Sequence, residues 1–211
     1  RGLGDVYKRQ RGYNSHARLK DSGEDFFIRE VLAKSDPKTC IDVGAHVGDY
    51  SEQILLRTTA TVVSFEPLPE SCRQLRTRLE RFGGRSIVVD RGVGRSTGRS
   101  VIHYAESSPR LASMSLDVNR VPYVANELAL EIDVVSLDDY LRGGEHGEIT
   151  LIKIDVEGWE GEVLQGAEES IRRYEPRFIQ IEFNRHQLFR GRPLLWFADR
   201  LPGYDVHQLL P

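Results

Sequence analysis

Ile41-Asp42-Val43-Gly44-Ala45-His46-Val47-Gly48 is an apolar run closed by an acid and two glycines, and its reading decides the fold. Thr39 to Val43 is short and apolar, as a buried strand is. The glycines after it let backbone approach a neighbour that a Cβ would block. Asp49 to Arg57 then turns Ile54 and Leu55 inward at helical spacing. Strand, glycine turn and helix make one βα unit.

The unit repeats outward from there. Thr61 to Glu66 (TVVSFE) reads as a second strand closed by Pro67, and Glu70 to Phe82 as a helix with Cys72, Leu75 and Leu79 inside, ended by Gly83-Gly84. Ser86 to Asp90 is a third strand and Ile149 to Asp155 (ITLIKID) a fourth. Trp159 to Tyr174 reads as one helix, Arg177 to Glu182 as the fifth strand, Leu194 to Leu201 as a helix and Tyr204 to Leu209 as a sixth strand. Before all of these, Glu24 to Lys34 places Phe27, Ile28, Val31 and Leu32 on one helical face, stopped by Asp36-Pro37. Between the third and fourth strands, Arg91 to Glu131 loosens into an insertion with one or two extra strands and a loop around Ser107 to Asn119, and Ser136 to Leu141 reads as a short helix. Alternating helices and near-continuous apolar strands predict an α/β domain around a mostly parallel sheet covered on both faces.

Composition bounds the function. The 211 residues are 39% hydrophobic with a formal charge of -3, which suits one globular domain and disfavours a nucleic-acid binder, which relies on positive charge. Cys40 and Cys72 form no CxxC pair and no disulfide framework. The sequence offers neither a run of roughly 18–20 apolar residues nor a secretory signal, so a cytoplasmic setting is expected. Arg1 to Gln10 (RGLGDVYKRQ) lacks an initiating Met and reads as a sequencing-adapter scar, 11–38 as a helical lead-in, and 39–211 as the domain, truncated at both ends.

Ligands of such sheets bind beyond the carboxyl ends of the strands. There the sequence places Asp42 with Gly44, then Glu66, Asp90, Asp155 with Glu157, and Glu182 with Asn184. A dinucleotide turn needs G-x-G-x-x-G, but His46 takes the place of the second glycine, and Asp42 would repel a pyrophosphate while attracting an ammonium group. Glu66, about 20 residues beyond the glycines, stands where an acid accepts from both ribose hydroxyls, compatible with a nicotinamide dinucleotide or with S-adenosylmethionine. The donor-site candidates are therefore Asp42, Gly44, Ala45, His46, Gly48, Glu66, Asp90 and Asp155. In Lys153-Ile154-Asp155-Val156-Glu157-Gly158-Trp159-Glu160, two carboxylates stand two residues apart at a strand end, able to bind an amine, act as a base or cap the next helix.

Several segments in this order carry a resemblance. Ile41–Ser51 (IDVGAHVGDYS), Ser64–Glu70 (SFEPLPE), Val134–Leu141 (VVSLDDYL), Leu151–Ala167 (LIKIDVEGWEGEVLQGA) and Phe178–Glu182 (FIQIE) resemble the FkbM family of S-adenosylmethionine-dependent methyltransferases. The resemblance runs from Thr39 to Glu182, with D-V-E-G-x-E as its most specific part. It implies a Rossmann-like class I methyltransferase fold and methyl transfer to a hydroxyl of a sugar, glycan or polyketide-type small molecule. Such transfer needs donor and acceptor aligned, water excluded and a base for the hydroxyl proton. The catalytic candidates are Asp155, Glu157 and His186, with His46 behind them; His16, His103, His146 and His207 look incidental, and Trp159 and Trp196 read first as core. Asp155, Glu157, Glu182 and Asn184 form an oxygen-only set suited to Mg²⁺ or Ca²⁺, but the reading assigns no metal. Two other functions stay open: a nicotinamide-dependent oxidoreductase using Glu66 for ribose, and a nucleoside-binding module without turnover.

Overall fold

The computed structural model describes residues 22–121, 124–144 and 146–209; the expected scar and residues 11–21 of the lead-in lie outside them. A helical segment over 24–35 (α1) leads in, buries Ile28 and Leu32, and is wound as a π-turn over Phe27–Leu32. The βα units follow: β1 Thr39–Val43, α2 Asp49–Arg57, β2 Thr61–Phe65, α3 Pro69–Leu79 and β3 Ser86–Val89. The insertion holds β4 Gly92–Val93, β5 Gly98–Tyr104, turns at Pro109–Leu111 and Leu116–Arg120, and β6 Leu128–Val135. Then come α4 Leu137–Arg142, β7 Ile149–Ile154, α5 Glu160–Gln165, α6 Glu168–Tyr174, β8 Phe178–Ile181, α7 Arg185–Phe189 and α8 Leu194–Ala198.

The main sheet runs β3-β2-β1-β7-β8 with every pair parallel. With β4 to β6 set aside as an insertion this is the strand order 3-2-1-4-5, and the order reverses between β1 and β7. Successive strand residues face opposite sides, and both sides are packed. Cys40, Val62 and Leu151 meet α1, α2 and α3 on one face; Ile41, Val63, Phe65 and Ile152 meet α4 and α5 on the other. That two-sided burial is why the strands carry apolar runs instead of alternation.

Three expectations are corrected. The helix over Trp159 to Tyr174 is two helices, because Gly166 lies against the Gly94 backbone, where a Cβ would come within 2.0 Å of the carbonyl oxygen. The sixth strand over Tyr204 to Leu209 is not formed; Val206 is 59% exposed, and the Tyr204 hydroxyl ties the segment by donating to the Pro176 carbonyl. The insertion supplies three strands of its own, a second sheet β4-β6-β5 in which β5 and β6 pair antiparallel. Among the described residues no helix is long and apolar enough to cross a membrane.

Candidate active site

The turns after β1, β2 and β7 surround a hollow of about 510 Å³, counted out to its mouth, with part of the insertion as its far wall. A shallower surface groove between α4 and α6 lies elsewhere, and its Asp138 carboxylate is taken up by the Glu169 and Ser170 amides. The hollow is where the sheet order reverses, so the fold places it where α/β sheets bind ligands.

Gly44 has φ +82°, and a Cβ there would come within 1.9 Å of the Asp155 carbonyl oxygen. No other residue lets the β1 and β7 turns meet so closely. The turn is closed on itself: the Gly44 and Ala45 amides donate to Phe65 O, Gly48 N–H to Ala45 O, and His46 N–H to Glu66 Oε2 at 2.9 Å. His46 sits at φ 50°, its Nε2 buried without a hydrogen-bond partner among the described residues. Burial, then the Arg110 charge, holds the imidazole below its ordinary value. Gly48, also left-handed, begins α2 and packs against Leu75.

Glu66 is 6% exposed and lines the hollow. Its Oε1 accepts the Leu68 amide at 2.9 Å and its Oε2 that of His46, leaving lone pairs on both oxygens. Burial outweighs these bonds and pushes the carboxyl up to about 7.

Asp42 falls outside the lining. Its Oδ2 accepts from Ser51 at 2.6 Å and its Oδ1 lies 3.5 Å from Lys153 Nζ, under the floor of the hollow. Direct contact with a ligand amine is corrected to a supporting place, because a mid-sheet ammonium claims the carboxylate. Asp90 is also displaced: its side chain is 73% exposed and pairs with Arg76 at the rim of β3.

Lys153 is the residue that sequence reasoning passed over. It is 5% exposed in mid-sheet, 3.0 Å from Asp155 Oδ2, and its neighbouring acids hold its proton firmly despite burial. An uncompensated lysine there would be costly, so its presence in an apolar strand already signalled acidic neighbours. Tyr50, Gln180 and Glu24 continue the polar chain behind it, with Tyr50 donating to Gln180 at 2.6 Å and Gln180 to Glu24 at 2.8 Å.

After Asp155 the chain makes a tight turn with Glu157 at φ 50° and Gly158 at φ 96°. A left-handed non-glycine residue costs on the order of 1 kcal/mol and persists where its surroundings fix it. Here Glu160 fixes it: fully buried, it accepts from the Val156 amide at 2.9 Å, the Gly158 amide and the Gln187 side chain. Burial pushes Glu160 up to about 8. Glu160 thus holds the turn from within and makes no side-chain cap on α5, and Glu157 is left lining the hollow. His186, 5% exposed, puts Nδ1 3.4 Å from Glu157 Oε2, and Asn184 caps α7 by accepting the His186 amide. Burial, with the nearby Asp155 charge, raises the Glu157 carboxyl.

Carboxylate oxygens of Asp155, Glu157 and Glu182 lie within 4.8 Å of one another. Glu182 is exposed beyond β8, and the crowding of Asp155, Glu157 and Glu160 raises its carboxyl. Three hard oxygen donors at this spacing can hold a divalent cation or accept a proton. Two further residues, Arg110 and Ser113, come from the insertion and carried no signal in the sequence. Ser113 donates to the Glu157 carbonyl at 2.7 Å, and Arg110 lines the hollow.

A parallel sheet in this order, with an acid-bordered hollow at its carboxyl edge, defines a Rossmann-like α/β protein built to hold a small ligand. Residues 42–206 match the family model of the Methyltransferase FkbM domain, and the chain belongs to that family. It is 30% identical over 157 residues to the hexuronic acid methyltransferase AglP of Haloferax volcanii, covering 74% of this chain and 61% of that protein. It is 26% identical over 194 residues to the 2-O-methyltransferase NoeI of Sinorhizobium fredii, covering 87% of this chain and 79% of that one. The chain thus spans about three-fifths of the first relative's length. Similar solved structures are an rRNA methylase from Streptococcus thermophilus (14% identity, TM-score 0.45, 85% of this chain and 81% of that chain) and the SAH-bound Podospora anserina methyltransferase PaMTH1 (12%, 0.44, 90% and 74%).

Proposed function

We propose that this protein transfers a methyl group from S-adenosylmethionine to a hydroxyl of a sugar, glycan or polyketide-type small molecule. The observation that carries the reading is the convergence of Glu66 and Glu157 on one hollow, from two strand ends on opposite sides of β1. Two of its relatives are by name methyltransferases, one of hexuronic acid and one acting at a 2-O position.

The residues suit that donor. Glu66 keeps a free lone pair on each oxygen, the complement of a ribose diol, and the orphaned His46 Nε2 offers a further polar contact. Asp155 stands where a ligand amine would meet a carboxylate, with Gly44, Ala45 and Gly48 shaping the turn beside it and Asp42 and Lys153 fixing its position. When bound, S-adenosylmethionine supplies a methyl carbon activated by a positive sulfur. The chain must then align the acceptor, exclude water and take one proton. Glu157 is the better proton acceptor, since burial raises it while Asp155 is held by Lys153. Glu157 would take the hydroxyl proton of the acceptor as that oxygen is methylated, and Asp155 and Glu66 would hold the donor in line. His186 steadies Glu157 from behind.

A nicotinamide dinucleotide fits less well. The turn amides of Gly44, Ala45, His46 and Gly48 are already bonded, so they present no cradle for a pyrophosphate. Calorimetric titration with S-adenosylhomocysteine, then by-product release over a panel of sugars, lipids and polyketides, tests the proposal. Micromolar binding and release with at least one hydroxyl acceptor are expected. Retention on an immobilised nicotinamide analogue without S-adenosylhomocysteine binding would overturn it.

A further inference from the structure

The hollow contains charges of both signs, and only one sign is compensated. Its three acids all have neighbours: Glu66 two backbone amides, Asp155 the Lys153 ammonium, Glu157 the His186 ring. Its two arginines, Arg91 and Arg110, make no hydrogen bond or ion pair among the described residues. They are not equivalent. Arg91 acts on Tyr140, which packs edge-on against Phe65 in the core below the sheet. Arg110 acts on His46 and Glu157, both of which line the hollow.

Arg110 is also held in place. It lies in the turn Pro109–Leu111, whose Leu111 carbonyl accepts the Asn126 side chain at 2.7 Å. Three residues on, Ser113 is 1% exposed, exchanges two backbone hydrogen bonds with His103, and donates its hydroxyl to the Glu157 carbonyl. The segment bearing Arg110 is thus fastened to the turn bearing Glu157, and Arg110 and Glu157 line the same hollow. A guanidinium offers a planar fork of N–H donors matched to a carboxylate, and its strength grows where water is excluded.

We propose that Arg110 binds a carboxylate carried by the acceptor, so that the substrate class is an acidic sugar, free or within a glycan, with the reacting hydroxyl at Glu157. The inference rests on the methyl-transfer reading above and narrows its acceptor. Arg110 then acts on specificity: it fixes the acceptor ring by its acid group and leaves the chemistry to Glu157. The anion is assigned to the acceptor because the Arg110 charge reaches Glu157, the proposed base, and does not figure among those acting on Glu66.

The test uses the whole chain saturated with S-adenosylhomocysteine, titrated with methyl glycosides of glucuronic, galacturonic and mannuronic acid and of the matching neutral hexoses. Wild type should prefer at least one uronate over its neutral partner by tenfold or more. Arg110→Ala should abolish that preference while S-adenosylhomocysteine affinity stays within twofold; Arg110→Lys should restore part of it, and Arg91→Ala should keep it. If Arg110→Ala instead weakens S-adenosylhomocysteine, or if wild type binds uronates and hexoses alike, the inference is overturned while the methyl-transfer reading stands. If wild type fails to bind S-adenosylhomocysteine at all, both fall.

Discussion

Gly44 and Asp155 meet backbone to backbone: the Gly44 Hα side faces the Asp155 carbonyl so closely that an added Cβ would stand 1.9 Å from its oxygen. The contact joins the turn after β1 to the turn after β7, on which both candidate acids stand. Gly44→Ala must therefore open the joint as well as strain a φ of +82°. A loss of about 2–4 kcal/mol in denaturant unfolding is expected, from strain and overpacking together. A variant within 0.5 kcal/mol of wild type, on the order of an ordinary surface substitution, would show that the turns separate freely.

Lys153 carries the second joint. Its ammonium lies 3.0 Å from Asp155 and 3.5 Å from Asp42, inside the sheet. Lys153→Met keeps the length of the side chain but leaves two acids without their cation. Breaking a buried pair in this way costs about 3–5 kcal/mol. Adding Asp42→Asn to Lys153→Met should recover part of the loss, whereas strictly additive losses would mean that the pair is not coupled.

Much of this was readable beforehand because the determinants are local. The main strands are four to six residues long and mostly apolar, and Asp42, Glu66, Asp155 and Glu182 stand in or just past their last positions. What escaped is long-range. Gly166 looks like any helical glycine until Gly94, 72 positions earlier, arrives against it and splits the helix. Asp42 reads as a ligand contact until Lys153 claims it from the neighbouring strand. Arg110 and Ser113 sit in a stretch with no periodicity, and only the chain path of the insertion brings them to Glu157. The lysine inside Leu-Ile-Lys-Ile-Asp, by contrast, is a local sign of acidic neighbours in the sheet.

The two acids of the β7 turn should separate under mutation. Glu157→Gln removes the proposed proton acceptor while leaving the donor contacts, so kcat should fall about 10²–10⁴-fold. S-adenosylhomocysteine affinity, measured by calorimetry, should hold within twofold. Asp155→Asn should lower turnover and weaken S-adenosylhomocysteine together, since Asp155 is placed against the ligand amine. Near-wild-type turnover in Glu157→Gln would shift the base to Asp155. The base mechanism also needs no cation, so excess EDTA should leave the rate unchanged; a rate lost to EDTA and restored by Mg²⁺ would instead make Asp155, Glu157 and Glu182 a metal site.

Glu66 ties ligand binding and stability to pH in opposite directions. Its carboxyl has an ordinary value of 4.5 and is pushed to about 7 by burial, with the Asp42 charge adding to the rise and the His46 and Leu68 amides opposing it. The folded protein thus keeps a proton that the unfolded chain gives up. That stabilisation is complete below about 4.5 and is lost as pH climbs through about 7, so Tm should decline across this interval. Binding runs the other way, because only the ionised carboxylate accepts from both hydroxyls of a ribose diol. S-adenosylhomocysteine affinity should therefore rise toward neutral pH and level off above it, by up to about tenfold for each pH unit below the transition. Glu66→Gln should flatten both curves and weaken the ligand at every pH. An affinity that ignores pH in wild type, alongside a Tm that falls as described, would leave Glu66 titrating in the fold but remove it from the donor site.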